Sequence, residues 1–234
     1  MSYTLDNMKK DIRKQYNLIA TEFSRNHNIG ENSNDKNRLH FYSFIHLPIK
    51  GKELLDLACG DGLDANHYSN QGAIVTGIDA SEAMVTIARQ KYPTIDFTVG
   101  LAEQLPYKNE SFDIVTSKYA IMTSSDMRPI FTEIYRVLKP GGIFIYLATH
   151  PFRQYFEKRS QSADYFHQEI VTSNILNNSI SLREPSHTFN EYLSSEVLNN
   201  FDIIKYEEAF DPAAERLDKR VYPGYFIVTC KKRI

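Results

Sequence analysis

Residues 53–62 read ELLDLACGDG and residues 73–79 read AIVTGID, with a helical pattern between them to about Asn70. A short apolar run ending in a glycine-rich turn, followed by a helix and a second apolar run, is one βαβ unit. Asp56, Gly60 and Gly62 lie at the first turn, where glycine permits positive φ and lets a ligand approach the backbone closely. The amides that open the next helix face the same turn and suit a polar or anionic group. Taken alone, such a turn also occurs without a ligand. Asp79 closes the second run about 17 positions after Gly62, near the ~20 expected of a carboxylate that grips a ribose diol. An N-cap role for Asp79 competes with that reading, although Ser81 makes the better cap.

Downstream, IDFTV (95–99), FDIVTS (112–117), a helical pattern from Met127 to Leu138 and GIFIYLA (142–148) repeat the alternation. Right-handed crossovers then predict an α/β fold, a Rossmann-like, mostly parallel sheet with helices on both faces. Gly72 and the pair Gly141, Gly142 are expected to stop helices. FDIIKYEEAF (201–210) and YPGYFIVTCKK (222–232) suit a terminal antiparallel strand pair at the sheet edge. Upstream, Leu5, Met8, Ile12, Tyr16, Ile19, Ala20 and Phe23 fall on one helical stripe. A polar loop follows, then a second helix around Arg38 to His46. Residues 151–200 lose the rhythm in an Asn- and Ser-rich stretch with scattered aromatics, read as a lid. The expected organisation is a single domain, with an N-terminal helical cap at 1–48, a ligand-binding core at 50–150, the lid at 151–200 and terminal strands at 201–234.

Composition narrows the function. The chain has 234 residues, is 42% hydrophobic and 24% charged, and sets 27 Lys and Arg against 29 Asp and Glu, net −2. Ordinary globular usage with no basic block argues against nucleic-acid partners, which need a concentrated positive surface. No apolar run approaches the ~20 residues that span a bilayer, and no secretory signal opens the sequence, so a cytoplasmic protein without a membrane partner is expected. Cys59 and Cys230 are far apart, so neither a metal site nor a disulfide framework is indicated. The triplets Asn109-Glu110-Ser111 and Asn177-Asn178-Ser179 read as chance matches to a glycosylation signal.

Four motifs in order, LLDLACGDG, GIDASEAMVTIAR, GLAEQLPYKNESFDIVTS and FTEIYRVLKPGGIFIY, cover residues 50 to 150. In them the chain resembles the class I S-adenosylmethionine-dependent methyltransferases, within their small-molecule, type 11 branch. The RVLKPGG segment is the most specific part, because nicotinamide enzymes have no use for it. The resemblance implies S-adenosyl-L-methionine as cofactor and S-adenosyl-L-homocysteine as product. It also implies that Asp56, Ala58, Cys59 and Gly60 line the methionine portion, with Ser117 beneath it, and that Asp79 takes the ribose. Ala80 and Met84 would flank the adenine, Ala102 and Glu103 would lie by its edge, and Tyr16 and Phe23 would close over the cofactor. Met84 and Phe23 read nearly as well as core residues. Two positions depart from the family pattern: Ala58 stands where glycine is usual, and Leu101 where an acidic residue usually meets the adenine amino group.

Methyl transfer from a sulfonium is an in-line displacement that needs positioning, exclusion of water and, for a protonated acceptor, a base. With 15 Tyr and 14 Phe the chain has aromatic faces to place near the sulfonium. His150 emerges at the carboxyl end of the fifth strand, as a general base or as a cap of the following HPF turn; the two readings stand level. Tyr119, Tyr155 and His187 are second-rank candidates for handling the acceptor. Residues 184–192, EPSHTFNEY, occupy the place where related enzymes bring substrate-specific residues over the pocket. The expected partner is a small-molecule acceptor of undetermined identity, and the expected assembly a monomer or homodimer. Three rivals are weighed. A nicotinamide-dependent oxidoreductase requires GxGxxG, and the third glycine is missing at its offset. The others are a non-catalytic protein that holds the cofactor as a structural ligand, and an RNA methyltransferase, for which no basic patch exists.

Overall fold

Strands β1 (Glu53–Leu57), β2 (Ile74–Asp79), β3 (Asp96–Val99), β4 (Phe112–Lys118) and β5 (Leu138–Thr149) pair in parallel in the spatial order β3-β2-β1-β4-β5. Strand β9 (Tyr225–Lys232) joins β5 antiparallel, and β8 (Phe201–Ala209) joins β9 antiparallel at the outer edge, which completes seven strands. The computed structural model describes residues 5–27, 33–158, 164–175, 179–210 and 221–234, with side chains described from residue 11 onward except at 33–35 and 157–158. Parts of the expected polar loop and lid, the segment joining β8 to β9, and Asn177 and Asn178 lie outside the described residues.

Alternation along the strands feeds two cores. Leu55, Val115, Phe144 and Tyr146 face one layer with Ile130, Phe131 and Ile134 of helix α5 (Arg128–Val137). Their neighbours Leu54 and Ile114 face the other, with Ala65 and Tyr68 of α3 (Leu63–Asn70) and Val85 and Ala88 of α4 (Glu82–Lys91). Successive strand residues point to opposite faces, so a strand buried on both reads as an unbroken apolar run. The strand order reverses between β1 and β4, and ligands of open α/β sheets bind outside the strand carboxyl ends at that point.

Around this frame the structure corrects three expectations. The second helix, α2, spans Ser33–Tyr42 and ends earlier than Arg38–His46, because Ser43 to His46 close it in turns. Gly141 and Gly142 do not stop a helix: α5 ends at Val137, and β5 already begins at Leu138 and runs through both glycines. The pairing with β4 jumps from Phe112↔Leu138 to Ile114↔Ile143, so the Pro-Gly-Gly stretch is a bulge that Gly141, at φ 72°, accommodates. Gly72 does follow α3 as expected, at φ 88°. The stretch read as an irregular lid contains a regular hairpin, β6 (Ile170–Ile175) against β7 (Ile180–Pro185). Short helices α6 (Pro151–Arg153), α7 (Phe189–Tyr192) and α8 (Ser195–Asn200) flank it. Helix α1 (Leu5–Asn26) packs between that hairpin and α4, with Gln15 exchanging two hydrogen bonds with the Arg183 backbone.

Candidate cofactor and acceptor site

A cavity of about 490 Å³ opens at the carboxyl ends of β1, β2 and β4, walled by α1 and the hairpin. Its floor is the turn after β1. Ala58, Gly60 and Gly62 all hold positive φ, 58°, 54° and 82°. Left-handed backbone is costly for any residue with a Cβ, which is the physical content of the alanine-for-glycine departure. The Phe23 ring lies over this turn, 3.9 Å from where a Cβ on Gly60 would stand, and meets Tyr16 edge-on at 6.3 Å.

Asp79 ends β2 with both carboxylate oxygens in use. One accepts from the Gly60 N–H at 2.9 Å and the other from the Ser81 N–H at 2.8 Å. Ser81 is the N-cap of α4, its hydroxyl accepting from the Met84 N–H, so Asp79 is not needed for that role. Burial raises the Asp79 carboxyl pKa while the two amides oppose the rise. Each oxygen keeps acceptor capacity towards the cavity, as a pair of vicinal hydroxyls requires.

The structure brings Tyr16, Phe23, Ala58, Cys59, Gly60, Asp79, Ala80, Met84, Ala102, Glu103, Ser117 and Tyr119 to one cavity wall, and Leu101 with them. Met84 is fully buried and Glu103 accepts from the Ser124 hydroxyl at 3.2 Å. Tyr119, at φ 52°, accepts from the Asn37 amide at 3.1 Å.

Four expected residues stand elsewhere. Asp56 is set behind the wall, 4% exposed, with Oδ1 taking the Thr116 hydroxyl at 3.3 Å and Oδ2 without a hydrogen-bond partner. Burial and the nearby Asp64 charge push its carboxyl up to about 8. His150 is fully buried and does not line the cavity. Its Nδ1 accepts from the Phe152 N–H at 3.1 Å as the N-cap of α6, so Nε2 carries the proton towards Glu208 Oε1 at 3.1 Å. With one nitrogen capping and the other donating, the imidazole is arranged as the cap, one of the two readings that stood level. Tyr155 and His187 also lie off the cavity wall; His187 pairs with the Met122 carbonyl at 2.8 Å and with Glu191 at 3.2 Å.

Sequence reasoning missed two polar groups. At the inner end Asp64 binds the Lys118 ammonium at 2.6 Å, Arg38 at 3.3 Å and the Tyr42 hydroxyl at 2.6 Å. Burial works to raise the Asp64 pKa, but the two cations hold it at about 2. Lys118 and Arg38 line this end of the cavity beside Asp64. Asp61, fully buried, accepts from Ser24 at 2.9 Å, His27 at 2.9 Å and Lys91 at 2.7 Å, which locks the last turns of α1 over the glycine turn. Asn17 adds a second lock, accepting from the Ser81 hydroxyl at 2.7 Å. These partners lie far apart in sequence, so no local pattern announces them.

A parallel sheet with a polar-lipped cavity at its switch point defines a Rossmann-like nucleoside-binding domain. Residues 55–146 match the family described as Methyltransferase domain. That stretch runs from β1 to β5 and is similar to a methyltransferase domain. An uncharacterized methyltransferase of Synechocystis is 36% identical over 122 residues, 51% of this chain and 58% of that protein. A demethylmenaquinone methyltransferase of Chlorobaculum parvum is 43% identical over 91 residues, 38% of each chain. The chain thus spans about half or less of the length of these relatives. An S-adenosylmethionine-dependent methyltransferase structure from Mesorhizobium loti superposes with TM-score 0.68 at 22% identity, covering 83% of this chain and 96% of that one, a likeness of fold.

The chemistry of the cavity fits that cofactor. Ser117 Oγ, fully buried on the wall, and Asp56 Oδ2 behind it have no hydrogen-bond partner, and an ammonium or hydroxyl close by would supply one. Lys118 and Arg38 line the cavity with cations of the kind a carboxylate pairs with, and Asp79 with the two acceptor oxygens that suit a diol.

Proposed function

We propose that the protein transfers the methyl group of S-adenosylmethionine to a small-molecule acceptor. The observation that carries this reading is the Asp79 carboxylate, held by the Gly60 and Ser81 amides at the lip of the cavity. When bound, the cofactor supplies an electrophilic methyl group on a sulfonium. Asp79 takes its ribose hydroxyls, the Ala58–Gly60 backbone and Ser117 hold its amino-acid end with Lys118 and Arg38 on the carboxylate, and Met84, Ala102 and Glu103 bound the adenine. Asp56 backs the turn from behind the cavity wall. Tyr16 and Phe23 exclude water from above. The transfer would break the sulfur–methyl bond as the acceptor's bond to that carbon forms, releasing S-adenosylhomocysteine, and a proton on the acceptor would pass to solvent water.

Several observations support a small acceptor. The Chlorobaculum relative is named for demethylmenaquinone, a small molecule. The near-neutral charge balance, 27 Lys and Arg against 29 Asp and Glu, does not favour a nucleic-acid partner. Among the described residues no helix is long and apolar enough to cross a membrane; action in the cytoplasm, as a monomer or homodimer, is part of the proposed reading. Titration with S-adenosylhomocysteine tests the reading: saturation raises the melting temperature and gives a one-site calorimetric isotherm. No heat and no shift would overturn it. Turnover of methyl-labelled cofactor with a metabolite extract separates catalysis from mere binding.

A further inference from the structure

Helix α1 ends beside the glycine turn, and the residue after it, His27, lines the cavity. Its ring stands 4.6 Å from the Phe23 ring, centroid to centroid, and its Nδ1 lies 2.9 Å from Asp61 Oδ1. Asp61 is fully buried behind the wall, and its other oxygen takes the Lys91 ammonium at 2.7 Å and the Ser24 hydroxyl at 2.9 Å. A carboxylate ringed by donors stays ionised and can only accept, so the Nδ1 that faces it carries the proton. The neutral imidazole then has its lone pair on Nε2, across the ring from Asp61. Among the described residues Nε2 has no hydrogen-bond partner, and the side chain keeps 13% of its surface exposed.

The charged groups that face His27 are Asp61 of the turn with Lys91 of α4 behind it, Lys118 of β4 and Asp64 of α3, with Arg38 of α2 on the same cavity wall. Burial lowers the His27 pKa and Lys118 works in the same direction, against the pull of Asp61 and Asp64. A neutral acceptor on one wall with two cations is the complement of a zwitterion: the cations suit a carboxylate, and the lone pair suits an ammonium. In the methyl-transfer reading the Ala58–Gly60 backbone holds the amino-acid end of the cofactor, and His27 is bonded to the next residue of that turn. We propose that His27, held as the Nδ1–H tautomer by Asp61, is a cofactor-binding residue whose Nε2 accepts from the ammonium of S-adenosylmethionine and of its product. This inference rests on the methyl-transfer reading. Protonation would turn Nε2 into a donor and set imidazolium against ammonium, so affinity falls as pH drops through the His27 pKa.

The test compares two probes on the full chain: S-adenosylhomocysteine, which has the amino-acid end, and methylthioadenosine, which has the nucleoside and thioether without it. NMR of the imidazole nitrogens first gives the tautomer and pKa of His27 in the free protein, the signal being assigned by its loss in His27→Asn or, if that variant fails to fold, in His27→Gln. A neutral Nδ1–H ring is expected at about pH 7.5. Calorimetry, with ligand-observed NMR for the weaker probe, then measures both affinities on each side of that pKa. S-adenosylhomocysteine should lose about fivefold or more on the acid side relative to methylthioadenosine, a ratio from which any titration at the shared ribose cancels. His27→Asn offers an amide N–H to Asp61 and leaves no acceptor where Nε2 stood. It should weaken S-adenosylhomocysteine about tenfold near neutral pH, keep methylthioadenosine within about twofold and abolish the pH difference. A residue that only latches α1 would weaken both probes alike, and that result overturns the proposal. An Nε2–H tautomer or an imidazolium in the free protein overturns it as well, as does a preference for S-adenosylhomocysteine that grows in acid, the mark of an imidazolium on the carboxylate. If neither probe binds the wild-type chain, the cofactor reading falls first and this inference with it.

Discussion

A carboxylate already aimed by two backbone amides has little orientation left to lose on binding, and Asp79 is in that position. Asp79→Ala removes charge-assisted hydrogen bonds worth ~1.5–3 kcal/mol, so S-adenosylhomocysteine affinity should fall about tenfold or more by calorimetry. Ala58 bears the opposite kind of constraint. At φ 58° its Cβ is disfavoured by ~1–2 kcal/mol, against ~0.4–1 kcal/mol of chain entropy that glycine loses on folding, so Ala58→Gly should leave stability level or raise it slightly. Thermal melts check this, and a clear loss would mean the alanine methyl has packing value. For Asp56 the sign runs with acidity. Its folded pKa of about 8 lies above the unfolded value, so its contribution to stability is complete in acid and is lost as pH rises through 8. Asp56→Asn should flatten the decline in melting temperature between about pH 4 and 8. The glycine turn and Asp79 were legible in the sequence because their spacing is local. His150 was legible only as far as its strand end: the partner that occupies its Nε2, Glu208, arrives from β8, and nothing near residue 150 predicts that pairing.

At the scale of elements, legibility followed periodicity. The parallel strands show themselves as short apolar runs because both faces are buried. The β6–β7 hairpin escaped because two of its inward positions are Ser173 and Glu184, polar residues that read as surface until the other supplies a partner. Within β5 the Pro-Gly-Gly stretch carries the composition of a helix stop yet forms a bulge, since the sheet provides hydrogen bonds the helix end does not. Gly62 ties three elements together. A Cβ there would stand 2.8 Å from the Phe97 ring, 3.0 Å from Tyr92 and 3.1 Å from Ala88, at φ 82°. Gly62→Ala should therefore destabilise the fold by about 2 kcal/mol or more through clash and strain together. A denaturant midpoint that does not move would show that α3 and α4 can separate without cost.

For the whole molecule, acid stability should track the clamp carboxylates. The Asp61 carboxyl sits well below the usual range, where burial is outweighed by His27 and Lys91, and Asp64 sits at about 2. Folded values below the unfolded ~3.9 give stability that is present at neutral pH and lost as pH falls from about 4 towards 2. Asp61→Asn should remove part of that acid dependence and, by stranding buried donors, cost ~3–5 kcal/mol at neutral pH. Product at 100 times its dissociation constant adds ~2.7 kcal/mol, some 5–10 °C in a chain of this size. Helix α1 bears on more than equilibrium. It lines the cavity and is tied down by Asn17 to Ser81 and by Ser24 to Asp61, so a nucleoside bound beneath it is expected to leave faster when one of those ties is cut. The pace of each cycle would then belong to the roof: spent product departs with a first-order rate that ignores how much fresh cofactor waits outside, and quickens when a latch is cut.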